Sequence, residues 1–302
     1  MSRRYTRPLT TPAAARAVRD YSRPFVSLLS DFGARDPSAA ICKGVILAIA
    51  PEALVVDITH EVAKFQVRDG ALLLWCALPY LPIGAHVAVV DPGVGTERLP
   101  IAVETVRGDV LVGPDNGLLI PAAERLGGIA SAHVLDNPEY RLPIVSASFH
   151  GRDLFSPAAA HVSLGVPVHV LGRSLDPRSL VRLNWPQPQI GEGELGTGVI
   201  YVDTFGNLKL SAEPSQLTAA LGPLSPGERL QLRVGAAARQ AIPAIWVDTF
   251  GRVPTGDFLV YEDSYGRLCI AQNQGSAAER LGLAADARLW IARARAPARR
   301  RR

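Results

Sequence analysis

Between Phe25 and Leu164, short apolar runs alternate with segments of helical spacing, and this alternation restricts the chain to few folds. Phe25–Ser30, Leu54–Ile58, Val87–Val90, Ile101–Thr105 and Val110–Val112 read as strands, largely apolar as buried strands are. Ser38–Ala50, Val67–Leu78, Leu118–Leu126 and Phe155–Leu164 read as helices. Strands alternating with helices predict an α/β fold with a largely parallel, helix-flanked sheet. Past the Pro/Gly-rich stretch Asn184–Gly193 the pattern changes to short strands separated by turns: Gly198–Val202, Leu208–Leu210, Arg229–Val234, Ala244–Val247, Phe258–Tyr261 and Leu268–Ala271. That spacing predicts a small antiparallel β-barrel or sandwich. The domain plan is a basic tail over 1–23, an N-terminal α/β domain over 24–184, a linker over 185–194, a C-terminal β domain over 195–292 and an Arg-rich tail over 293–302. No internal repeat is read.

The formal charge of +4 is concentrated at the ends of the chain. Residues 1–23 and 293–302 each carry six Arg, and without them residues 24–292 hold 20 basic and 27 acidic side chains, a net of −7. An acidic body argues against a general nucleic-acid surface and suits a cationic ligand. The tails read as solvated ends. Three widely spaced cysteines, Cys42, Cys76 and Cys269, form neither a disulfide framework nor a zinc pattern, which suits the reducing cytoplasm. Ser2-Arg-Arg-Tyr5 is followed by no apolar stretch, so no twin-arginine signal is expected. Ala71–Val90 is uncharged, but Pro79, Pro82 and Gly84 divide it, so no membrane span is expected.

Two segments carry the chemistry. Val87–Val90 ends in Asp91-Pro-Gly-Val-Gly-Thr-Glu-Arg98, and the strand-like run Pro143–Phe149 ends in His150-Gly-Arg-Asp153. Polar groups just past buried strands are where open α/β sheets bind ligands. Together the segments offer a carboxylate, a guanidinium and an imidazole to one small molecule. Ser30-Asp31-Phe-Gly-Ala-Arg-Asp36 follows the first strand, and a carboxylate there can accept two bonds from a vicinal diol. Each residue has a plainer reading: Asp31 or Asp36 as a helix cap, Asp91-Pro-Gly as a turn, His150 as a structural histidine. Asp31, Asp36, Asp91, His150 and Asp153 are also the raw material of an oxygen-rich metal site, but none of their spacings is diagnostic of one. His60, His86, His133, His161 and His169 are read as structural or solvated, and Phe65 as placed to lie over a ligand.

With these residues assembled, the chain resembles the S-adenosylmethionine (SAM) hydroxide adenosyltransferases, relatives of the SAM-dependent fluorinating and chlorinating enzymes. The resemblance rests on seven ordered motifs: Ser30-Asp-Phe-Gly33, Asp57-Ile-Thr-His60, Val90-Asp-Pro-Gly-Val-Gly-Thr96, Gly113-Pro-Asp-Asn-Gly117, Phe149-His-Gly-Arg-Asp153, Asp203-Thr-Phe-Gly-Asn207 and Gln272-Asn-Gln-Gly-Ser276. It spans roughly Phe25 to Ala292. It implies a C-terminal β-barrel, a homotrimer with sites at subunit interfaces, SAM as substrate and no separate cofactor or metal. By position it implies Asp91, Arg98 and His150 as the hydrolytic triad and Asp31 on the ribose hydroxyls, with Phe65 against the ligand. Asp36, Ser38 and Asp203 would hold the methionine end, and Ser264 its carboxylate. Asn207, with the backbone near Asn273 and Gln274, would read adenine. Asp91 and His150 stand where the halogenating enzymes have tyrosines, and Gly151 where the fluorinating enzyme has a fluoride-binding serine. Tyr265 replaces an arginine of that enzyme. A carboxylate repels a halide by several kcal/mol at an effective dielectric constant of about 20, and accepts a hydrogen bond from water instead. The expected reaction is hydrolysis of SAM to adenosine and L-methionine. The alternatives are a halide-using transferase and a non-catalytic adenosine or SAM sensor.

Overall fold

The computed structural model describes residues 23–235 and 241–294, so the expectations for residues 1–22 and 295–302 lie outside the described residues, while Arg293, read as the start of the Arg-rich tail, instead ends the last strand of the chain, Arg288–Arg293. The chain divides into two compact units between Leu183 and Asn184.

The first unit runs β1 (Phe25–Ser30), α1 (Ser38–Ile49), β2 (Leu54–Thr59), α2 (Val67–Ala77), β3 (Ala85–Val89), β4 (Pro100–Thr105), β5 (Val110–Pro114), α3 (Ile120–Arg125), β6 (Ile129–Val134) and α4 (Ser156–Ser163). The sheet order is β2-β1-β3-β5-β4-β6. β2, β1, β3 and β5 are mutually parallel, and β4 is antiparallel to both its neighbours. All residues of β1, β3 and β5 are buried, as their apolar runs require when helices cover both faces. Helix α1 buries Ala39, Cys42 and Ile46, spaced three and four apart, on that sheet. Its Ile41 and Leu47 point outward.

Among the central strands lies a polar rung. Ser27 on β1 bonds His86 Nδ1 on β3 at 2.7 Å, and His86 Nε2 meets Asp109, just before β5, at 3.0 Å. Arg107 donates to both oxygens of Asp109. Burial by itself would raise the Asp109 carboxyl, but the His86 and Arg107 hydrogen bonds outweigh it and hold the group at about 2.

Two sequence expectations change here. Pro143–Phe149 is irregular chain, not a strand. Two of its amides bond off the sheet, Ser146 N–H to Asp153 Oδ2 at 2.8 Å and Ser148 N–H to Ser146 Oγ at 3.2 Å, and Leu142 N–H just before it bonds the Asp153 carbonyl at 2.9 Å. Serine hydroxyls that satisfy nearby amides compete with sheet pairing. Strand β6, absent from the sequence reading, forms because its amides pair with β4 on one side and with residues 173–175 on the other.

The second unit contains β7 (Gln189–Gly191), β8 (Glu194–Val202), β9 (Leu208–Leu210), α5 (Pro214–Leu221), β10 (Arg229–Val234), β11 (Ile242–Trp246), β12 (Phe258–Glu262), β13 (Leu268–Gln272), α6 (Ala277–Leu281) and β14 (Arg288–Arg293). The order β14-β10-β11-β12-β13-β9-β8 closes through β8–β14 into a barrel, and β7 adds to β8 from outside the ring. Every pair is antiparallel except β11–β12, so the barrel is mixed. Leu195, Val199, Leu208, Leu230, Val260, Ile270 and Ile291 fill it.

Candidate active site

Strand β3 delivers Val90 and then Asp91, and the chain turns at once. Val94 N–H bonds the Asp91 carbonyl at 3.3 Å, and Thr96 Oγ bonds the Gly93 carbonyl at 2.7 Å. The turn brings Arg98 back over Asp91. Arg98 Nε donates to Asp91 Oδ1 at 3.1 Å and Nη2 to Oδ2, and Nη2 also donates to His150 Nδ1 at 3.0 Å. The two charged side chains are only 5% and 7% exposed. The Arg98 guanidinium sits 5.6 Å from the Phe155 ring centroid, and that ring meets His150 edge-on. A fourth contact fixes the two loops. Gly95 has φ +78°, and a Cβ there would lie 2.6 Å from the Ala147 carbonyl oxygen, so only glycine lets the 91–98 loop press on the 143–149 segment.

Because a guanidinium only donates, the Arg98 bond requires His150 Nδ1 to be an unprotonated acceptor, with the imidazole proton on Nε2. Burial and then the Arg98 cation depress the basicity of His150, against the opposing pull of Asp91 and Asp153. Asp153 is itself buried. Its bonds from Arg152 and Ser146 overcome the cost of burial and keep its carboxyl below the usual range. Gly151 begins a single π-helical turn, Gly151–Phe155. A Cβ on it would lie 3.1 Å from Phe32 Cζ, so the aromatic ring already occupies the room a larger residue would need.

Asp31 follows β1, with its backbone N–H on the Val89 carbonyl at 3.3 Å, which places it one strand from Asp91. It caps no helix: its Oδ2 accepts from Phe65 N–H at 3.0 Å, and its carbonyl accepts from Lys64 Nζ. Phe65 is left-handed at φ +66° and 68% exposed. For an aromatic residue that backbone costs about 1–2 kcal/mol, sustained by the bond to Asp31. Asp36 is exposed and does not cap α1, whose N-cap is Pro37, and Ser38 is the first residue of that helix. His60 is structural. Its Nδ1 bonds Ser30 Oγ at 2.7 Å, its Nε2 meets Asp57 at 3.0 Å, and Asp57 pairs with Lys43 at 2.8 Å.

In the barrel unit, Asp203 Oδ1 accepts from the backbone N–H groups of Phe205 and Asn207, both at 2.9 Å, and Oδ2 accepts from Asn207 Nδ2 at 2.9 Å. The last bond fixes the amide of buried Asn207 so that its Oδ1 is left to accept. Gly206, at φ +80°, lies so close to Ser276 that a Cβ would meet its Cβ at 2.6 Å, and Ala278 N–H bonds the Gly206 carbonyl at 3.0 Å. The Asp203–Asn207 turn and the Gln272–Ser276 turn are therefore one surface. Asn273 is committed within it: its N–H bonds the Asp257 carbonyl at 3.0 Å, its carbonyl accepts from Gly256 at 2.9 Å, and its Nδ2 donates to the Val253 carbonyl at 2.8 Å. Gln274 is exposed and left-handed at φ +56°. Ser264 sits in the exposed turn at the other end of β13, away from this surface. In that turn Asp263 accepts from Tyr265 and Arg267 N–H at 2.9 Å each, and it pairs with buried Lys209.

Sequence reading included Phe205 in a motif but gave it no role, and it stands 78% exposed at the tip of the first turn. A signal was present: Val202-Asp-Thr-Phe-Gly206 recurs as Val247-Asp-Thr-Phe-Gly251, against the expectation of no repeat. The second copy leads into the 3₁₀ turn Phe250–Arg252, with Arg252 paired to Asp248 at 2.5 Å. Among the described residues no group of three or more His, Cys, Asp or Glu could hold a metal ion. Nor is any helix among them long and apolar enough to cross a membrane.

A largely parallel sheet presenting a carboxylate–guanidinium–imidazole cluster at its strand ends, followed by a closed β-barrel, defines a two-domain enzyme of small-molecule chemistry. The chain belongs to the SAM hydroxide adenosyltransferase family, matching its N-terminal domain over residues 26–172 and its C-terminal domain over residues 197–290. It is 43% identical over 268 residues to an (R)-S-adenosyl-L-methionine hydrolase of Salinispora tropica, covering 89% of this chain and 97% of that one. A Thermus thermophilus protein of the same name is 40% identical over 85% of this chain and 95% of its own. A fluorinase of an Actinoplanes species is more distant, at 27% identity over 90% of this chain and 98% of its own. A crystal structure of an uncharacterized conserved protein from Thermotoga maritima superposes with a TM-score of 0.82 at 34% identity, covering 89% of this chain and all of that one.

Proposed function

We propose that this protein hydrolyses S-adenosyl-L-methionine to adenosine and L-methionine, acting on the (R)-sulfonium diastereomer named for its relatives. The observation that carries the reading is the single Arg98 guanidinium bonded at once to Asp91 and His150. The substrate is a sulfonium, so its thioether leaves neutral and needs no general acid. The difficulty lies in the nucleophile. Water attacks ribose C5′ in line with the C5′–S bond. A C–O bond forms, the C–S pair returns to sulfur, and the water proton goes to Asp91. His150 does not take it, because its Nδ1 already accepts from Arg98 and its Nε2 carries a proton; it donates that N–H to the water oxygen instead. Orientation and exclusion of bulk water supply much of the acceleration.

Arg98 also alters the argument against halides. Asp91 and Arg98 together are neutral, so net charge contributes less than a lone carboxylate would. Discrimination rests on acceptor lone pairs that a water can donate to and a halide cannot. In the rest of the site, Asp31 accepts the ribose diol, Phe65 covers it, and the Asn207 Oδ1 accepts from the adenine amino group. Asp36, Ser38, Asp203 and Ser264 serve the methionine end, with Gln274 and Asn273 edging the adenine side. The protein works in the cytoplasm as a homotrimer that completes its sites at subunit interfaces and uses no cofactor beyond the substrate.

Each sulfonium diastereomer, incubated separately with and without chloride, decides the reading. Equimolar adenosine and methionine, faster from the (R) form, is the expected result. Accumulation of 5′-chloro-5′-deoxyadenosine would transfer the protein to the halide users, and tight binding without turnover would make it a sensor. Light scattering that returns a monomer would remove the trimer.

A further inference from the structure

The turn Gly113-Pro-Asp-Asn-Gly117 makes no hydrogen bond to the three side chains of the cluster, though the Asp115 carboxylate feels the Arg98 charge, and it grips both ends of the loop that carries Asp91 and Arg98. Asn116 Nδ2 donates to the carbonyl of Val90, immediately before Asp91, at 2.8 Å. Asp115 N–H donates to the carbonyl of Leu99, immediately after Arg98, at 2.9 Å. The turn is itself held: Asn116 Oδ1 accepts from Leu118 N–H at 3.2 Å, and Asp115 Oδ1 accepts from Val181 N–H at 2.9 Å. The two bonds of the Asn116 amide fix its orientation, so its donor edge has one direction available.

We propose that Asn116 is a positioning residue for the Asp91–Arg98–His150 cluster, an inference that rests on the hydrolytic reading above for its catalytic consequence. The Val90 carbonyl and the Asp91 N–H belong to one rigid peptide plane. Holding that carbonyl sets the direction in which the Asp91 chain leaves β3, and Pro92 limits the next turn of the backbone. Without the bond, the plane rotates and the carboxylate swings at the end of its lever, taking Arg98 and the His150 bond with it. A displacement of about 1 Å at a reacting group costs up to about 100-fold in rate.

Asn116→Asp is the informative variant. It keeps the shape and the acceptor for Leu118 but replaces the donor facing Val90 by an acceptor. Asn116→Ser, which shortens the side chain, is the second variant should the first fold poorly. The expected result is kcat lowered about 10- to 100-fold, with KM and adenosine affinity within about twofold of the wild type. The same variants should shift the ¹⁵N resonances of His150 away from the wild-type Nε2–H tautomer. A wild-type kcat per folded molecule, or an unchanged His150 spectrum, overturns the inference. The spectrum also separates the two ideas: a wild-type protein that does not hydrolyse SAM defeats the functional reading, while the His150 comparison still decides the clamp.

Discussion

Arg98 serves two acceptors with one guanidinium, and each partner's chemistry depends on that arrangement. Asp91→Asn keeps the volume but removes the acceptor charge, and hydrolysis should fall about 100- to 10,000-fold, the range of a lost general base, with circular dichroism unchanged. The pH dependence follows from His150. Its proton affinity is depressed in the folded protein, so it is neutral at pH 7, and only below its ordinary value near ~6.5 does it protonate. The imidazolium can no longer accept from Arg98. Activity should therefore be level through neutrality and fall in acid, and His150→Asn should abolish that limb of the kcat profile. The sign for stability is the same: the unfolded chain binds this proton more readily, so stability is lost as pH falls below ~6.5. That Asp91, Arg98 and His150 converge was legible because Asp91 and Arg98 flank a Pro/Gly turn after an apolar run. The tautomer of His150 was not, because it depends on a bond to a residue 52 positions away.

At the scale of elements, close approaches of backbone hold the working surfaces together. Gly206→Ala would drive a methyl group into Ser276 and part the two turns of the barrel unit, so adenosine affinity measured by calorimetry should drop about tenfold or more while the α/β unit keeps its stability. In that unit the rung from Ser27 through His86 to Asp109 ties three parallel strands. Removing the carboxylate in Asp109→Ala leaves buried His86 and half-buried Arg107 without their shared partner and should cost about 3 kcal/mol in a denaturant titration. With Asp109 held at about 2, its contribution is complete above ~4 and is lost as pH falls through about 2. Strands such as β9 and β10 were read to the residue, because apolar alternation and turn residues bound them tightly. Pro143–Phe149 misled for the opposite reason: its apolar residues resemble a strand, but the amides of Ser146 and Ser148 bond Asp153 and the Ser146 hydroxyl instead of a neighbouring strand.

Across the whole molecule, the divide at Leu183 separates the residues proposed to hold the substrate into two sets, so on that proposal neither unit alone carries the full complement. Separately expressed units should each bind adenosine at least tenfold more weakly than the intact chain, a comparison calorimetry makes directly. One further consequence lies in the strand edges. The barrel ring, among the described residues, closes on itself and leaves the three residues of β7 with an open side, and residues 173–175 cover the outer side of β6. Among the described residues the one longer open edge is β2, where Asp57 and Lys43 place an ion pair beside the unpaired backbone. Charges at such an edge discourage a foreign strand from adding to it. A second copy of this chain therefore meets charge, not a free ladder, at the one edge where the two sheets could otherwise run on into each other.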